Sequence, residues 1–208
     1  MNNAEINLEY NLESLLPAVS LEDIHQFEIK TSNYFEQKIK LPDELIQQFL
    51  HYHGGIPGKQ CFQSLDGKIR MICRFCNIFK PLGDERLPQP PIPSWRPGGA
   101  SDVRLDYTIG FLLARFDYSD RLYESGGLLV PIAVIDTAGH NAREMSEMNL
   151  LCLDYRKPGE PSVVTWSFEM SWHDPEEIVK VADSFGEFLT RLFKHPDDFP
   201  ITNECEHF

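Results

Sequence analysis

The chain has 208 residues, of which 42% are hydrophobic, 25% charged and 12% aromatic. That is the composition of one folded domain, and it excludes a disordered polar chain. With 19 Lys and Arg against 32 Asp and Glu, net −13, it also argues against direct nucleic-acid binding, which needs clustered basic residues.

The charge is uneven. Residues 1–45 carry 9 acids and 3 bases, and residues 146–208 carry 13 acids and 5 bases, while the middle hundred is close to neutral. The acidic character therefore lies at the two ends, and the negative balance suits a basic partner or solubility alone. Five cysteines (Cys61, Cys73, Cys76, Cys152 and Cys205) are an odd number for a disulfide framework. Met1 to Tyr10 has no basic stretch followed by an apolar run. The longest apolar run, Leu128 to Ile135, is far below the ~20 residues that cross a bilayer. The expected location is the cytoplasm.

In chain order, Ile6, Leu8, Tyr10, Leu12, Leu15 and Leu16 give a loose helical pattern stopped by Pro17. Ser20-Leu-Glu-Asp reads as a capped helix start. A clearer helix begins at Leu41-Pro42-Asp43-Glu44, with Pro42 expected at the first helical position and two acids against the dipole. Leu45, Ile46, Phe49 and Leu50 form its apolar stripe, and Gly54-Gly55 ends it. Residues 60–79 predict a hairpin about Asp66-Gly67. Six prolines and Gly98-Gly99 make residues 80–104 a long surface loop that carries Trp95. Strands are predicted at Thr108–Phe116, Leu128–Ile135, Leu150–Tyr155 and Val163–Phe168, with a polar loop over 137–148. Last, Asp174, Pro175 and Glu177 read as the cap of one long helix to Lys194. Its stripe is Ile178, Val181, Ala182, Phe185, Phe188, Leu189 and Leu192. Helices at both ends with strands between them predict an α+β single domain, with a mostly antiparallel central sheet.

These segments together resemble the SUKH superfamily, which includes the Smi/Knr-type cell-wall regulators of fungi and many bacterial immunity proteins. The carrying residues are Leu41-Pro-Asp-Glu-Leu with Gly54-Gly55, and Leu129-Val-Pro-Ile-Ala-Val-Ile-Asp136. They continue with Asn149-Leu-Leu-Cys-Leu-Asp154, Val163-Val-Thr-Trp166 and Val181-Ala-Asp-Ser-Phe185. The resemblance spans about residues 40–193. It departs from the family pattern at His53, where Asn is usual, at a loop broken by His140 to Met148, and at an insertion over 80–104. The expected organisation is a helical extension over 1–40, the α+β domain over 41–195 and an acidic tail over 196–208. The resemblance implies a non-catalytic binding protein without a cofactor. Its partner would be a protein, foremost a toxin domain such as a nuclease, with no contact to nucleic acid or membrane. The alternative is a regulatory or scaffold protein of the same fold.

Chemistry-bearing groups have plain readings. Cys73-x-x-Cys76 lies in a predicted strand and lacks the second pair that structural zinc needs. Cys61 with Cys73, Cys76 and a histidine is the remaining metal combination, and a metal- or thiol-dependent enzyme is the rival from another class. His51 and His53, two apart on a helix, point about 200° apart. The resemblance places Asp136 and Asp154 at turn and strand-end positions, where carboxylates accept backbone N–H groups. Asp136, His140 and Asp154 make no recognisable acid–base motif. Trp95 is either an interface anchor or a cover for a sheet edge. Trp166 and Trp172 read as packing residues. Glu176, Glu177, Asp183 and Glu187 would form the acidic outer face of the last helix, and with Trp95 they are the candidate partner-binding residues.

Overall fold

The computed structural model describes residues 8–65, 67–78, 109, 113, 122, 128–137, 149–167 and 174–194. The expected features at 80–104, 138–148 and 195–208, including Trp95, His140 and Cys205, lie outside them, as does Trp172.

Ser20 starts the first helix, α1 (Leu21–Tyr34), through a complete capping box. Its hydroxyl accepts from the Asp23 N–H, and the Asp23 carboxylate accepts from the Ser20 N–H at 2.8 Å. Helix α2 (Asp43–Tyr52) follows. Pro42 precedes it as the cap, one position earlier than expected, with an extended ψ of 142°. Its carbonyl takes the Leu45 and Ile46 N–H groups at 3.0 Å. Leu45 and Phe49 face the core, with Ile46 and Leu50 packed beside them. Gly54 stops the helix at φ +64°, a conformation that a side chain would strain.

The predicted hairpin forms as β1 (Cys61–Gln63) and β2 (Ile69–Phe75), with Gly67 at φ +81° in the turn. The later strands are β3 (Leu129–Thr137), β4 (Asn149–Asp154), β5 (Ser162–Trp166) and β6 (Val179–Ala182). All six pair with their sequence neighbours, antiparallel, in the order β1 to β6. This meander with helices before and after it is the α+β architecture expected. Pro131 sits in the central strand β3, which is possible because the register with β4 shifts between Pro131 and Ala133. In β4, Leu151, Cys152 and Leu153 are successive and all fully buried, so both faces of that strand are covered.

Three expectations are corrected. The N-terminal pattern through Leu12 to Leu16 forms only a single 3-10 turn, Leu12–Ser14, among the described residues. Ile109 and Leu113, assigned to a strand, are helical and buried. An apolar run does not by itself distinguish a buried helix from a buried strand. The long C-terminal helix is instead a 3-10 turn (Pro175–Glu177), then β6, then the short helix α3 (Phe185–Thr190). Val179 and Val181 are β-branched and supply the free edge of β5 with a ladder, while Ser184 caps a new helix start.

Helix α3 packs against α2 and sends its aromatic rings into the sheet. Phe188 meets Phe62 of β1 edge-on at 5.3 Å, and Phe185 meets Phe75 of β2 at 6.4 Å. Trp166 is fully buried, as expected of a packing residue.

Candidate functional site

The thiols come first, because thiol chemistry requires a thiolate. Cys61, Cys73, Cys76 and Cys152 are all buried. Burial pushes the Cys61 thiol up to about 11 and raises Cys76 and Cys152 further. Cys61, Cys76 and Cys152 therefore stay protonated and serve as small apolar side chains. Among the described residues, no three His, Cys, Asp or Glu side chains are placed to hold a metal ion.

The two histidines separate as their spacing predicts. His51 is exposed, while His53 is buried. The His53 Nδ1 lies 2.8 Å from the Pro17 carbonyl, and its Nε2 accepts from the Ile78 N–H at 2.9 Å. A lone pair on Nε2 requires a neutral ring with its proton on Nδ1. Burial accordingly lowers the His53 pKa below 6.5, with the Pro17 carbonyl acting against it.

The carboxylates are also held apart. Asp154 closes β4 and accepts from the Arg156 N–H at 3.0 Å, the strand-end role expected of it. It also receives two guanidinium bonds at 2.9 and 2.8 Å. Burial alone would raise its pKa, but the Arg156 bonds outweigh that and lower it. Asp136 lies within β3 opposite Met71, not in a turn.

The acidic candidates share no helix. Glu176 and Glu177 are exposed on the 3-10 turn, Asp183 follows β6, and Glu187 lies in α3. Asp183 pairs with Lys180. Glu187 pairs with Arg191 at 2.5 Å, and its other oxygen accepts from the Asp183 N–H. The structure therefore brings Asp183 and Glu187 together and already balances both with bases.

One arrangement had no motif to reveal it. Residues 8–17 run as a strap along the turn at 53–59. Asn11 donates to the Ile56 carbonyl at 2.9 Å, Leu16 donates to the His53 carbonyl at 2.9 Å, and the Gly58 and Lys59 N–H groups reach the Leu8 carbonyl. Arg74, 4% exposed, donates to the Gly54 carbonyl at 2.7 Å and to the Ser14 carbonyl. The approach needs glycine. A Cβ on Gly55 would stand 2.6 Å from Leu15 and 2.9 Å from Tyr10, and one on Gly58 would stand 2.7 Å from the Glu9 carbonyl. Tyr10 stacks on Tyr52 at 4.3 Å and meets the buried Gln48 amide through its hydroxyl.

A consecutive six-strand antiparallel meander with helices before and after it makes this an α+β domain. The chain belongs to the SMI1 / KNR4 family (SUKH-1), whose sequence model matches residues 18–191. No curated protein and no solved structure matches the chain. The matched span includes α1 and begins directly after the strap.

Proposed function

We propose that this chain is a non-catalytic protein-binding module that neutralises a cognate toxin domain by direct association in the cytoplasm. Family membership over residues 18–191 is the observation that carries this reading, since SUKH proteins are generally immunity or regulatory proteins without enzymatic activity. The net charge of −13 supports a basic partner surface. A nuclease groove is such a surface, and an acidic protein filling it would associate under electrostatic steering. Trp95, Glu176, Glu177, Asp183 and Glu187 are the residues assigned to the contact. The described helices include none long and apolar enough to cross a membrane.

Co-expression with the product of the neighbouring gene tests the reading. Rescue of growth together with a stable complex is the expected result. An association rate that stays flat from low to high salt would remove steering from the account. A neighbour that is neither toxic nor bound moves the chain to the regulatory reading, in which the same fold holds a cellular partner.

A further inference from the structure

We infer that the glycine turn at 54–58, with the C-terminal end of α2 and the Arg74 guanidinium, is a groove for an extended peptide. The chain's own strap at 8–17 is the occupant it holds in cis, and a segment of like pattern can exchange for it. The inference concerns this groove alone and is independent of the toxin reading.

Four observations carry it. First, the contacts are those of a bound peptide: main-chain bonds along an extended segment, and side chains at intervals. Asn11 forms a strand-type bridge with Ile56, and the Ser14 hydroxyl accepts from the Ile56 N–H at 2.8 Å. Second, the groove wall is buried while much of the strap is not. His53, Gly54 and Gly55 are buried, whereas Glu9, Asn11, Leu12 and Glu13 are exposed, Leu12 at 71%. The strap is anchored by Leu8 in the core and by the half-buried Tyr10, Leu15 and Leu16, so its exposed middle, residues 11–13, is the part that opens at lower free energy than the core. Third, the groove carries its own recognition chemistry. Tyr52 offers a stacking face for an aromatic ring, Gly55 admits a leucine and a ring at close range, and Arg74 donates to a peptide carbonyl. The Gln48 Oε1 atom is buried without a hydrogen-bond partner beside the Tyr10 hydroxyl, so the resident segment leaves one polar group of the groove unused. Fourth, the family match begins at residue 18, so the domain that builds the groove is matched without the segment that fills it.

The fitting partner is an extended peptide with an aromatic residue followed, five and six positions on, by two leucines, as in Tyr10, Leu15 and Leu16. A protease site inserted after the exposed Ala18 of the full chain allows the strap to be cut once the protein has folded. The probe is a fluorescent synthetic peptide of residues 8–17. The expected result is that the cut protein keeps its circular dichroism and takes up the probe saturably. Unlabelled peptide should compete, and a probe with Tyr10→Ala should bind about tenfold more weakly, as expected for loss of a stacked ring. Altering the probe leaves the protein untouched, so the comparison is free of folding effects. Unfolding on cleavage, a cut strap that never exchanges, or equal uptake of a scrambled probe would each overturn the inference.

Discussion

Phe193 and Cys61, the first residue of β1, exchange both of their main-chain hydrogen bonds, at 2.9 and 3.0 Å, in an antiparallel bridge. The residue just beyond α3 thereby covers the outer edge of β1, which would otherwise offer unpaired groups to another chain. Phe193→Pro removes the donor. We expect it to cost roughly 3 kcal/mol and to raise self-association, as read by urea melts and light scattering. Phe193→Ala keeps the bridge and should remain monodisperse; aggregation of both variants alike would assign the effect to the ring.

His53 links the strap to the end of β2 only while its ring is neutral. Its folded pKa lies below 6.5, so beneath that pH the unfolded chain takes up a proton that the folded chain refuses. The His53 contribution is therefore complete above pH 6.5 and declines as the pH falls towards the lowered folded value. His53→Ala strands the Ile78 N–H and opens a small cavity, at about 2–3 kcal/mol. Denaturation series at pH 7.5 and 5.5 should show a smaller loss between the two pH values for the variant than for the parent.

Ser184 distinguishes the observed C-terminal arrangement from a continuous helix. Its hydroxyl accepts from the Glu187 N–H at 3.1 Å. Ser184→Ala should destabilise by about 1 kcal/mol as a lost cap. Were residues 175–194 one helix, the same change would be an interior Ser→Ala and stabilise slightly. The sign of the shift in Tm reads out which is present.

The Asp154–Arg156 pair predicts an acid response. The Asp154 pKa is lowered from 3.8, so its stabilisation is complete above that pH and is lost as the pH falls through the lowered value. Arg156→Met leaves burial as the main influence and should move the Asp154 carboxyl above 3.8. It should also cost about 2 kcal/mol at pH 7, the scale of hydrogen bonds to a charged group. Carboxyl NMR titration follows the first and chemical denaturation the second.

Glu176 and Glu177 are exposed, so a Glu176→Lys, Glu177→Lys double variant should change stability by less than about 0.5 kcal/mol. If the acidic surface steers a basic partner, its association should slow roughly tenfold at low salt and much less at high salt. Stopped-flow measurements at two ionic strengths compare them. Equal rates for the double variant and the parent would take both residues off the contact.

Local chemistry along the chain was enough for much of the fold. Ser20 with Asp23, Pro42 with its two acids, Asp66-Gly67 and the apolar runs of β3 to β5 each act within a few residues. Caps, turns and strand patterns of that kind are legible wherever they occur, and the family resemblance rests on their order. Residues 175–194 were different. The spacing of Ile178, Val181, Phe185 and Phe188 suits a helix, yet the backbone of 179–182 pairs with β5, because an unpaired strand edge is a demand made from far away in sequence. The strap groove was equally hidden. Gly54 and Gly55 read as a helix stop until Tyr10, Leu15 and Arg74 are brought against them, and no short-range pattern encodes a meeting across tens of residues.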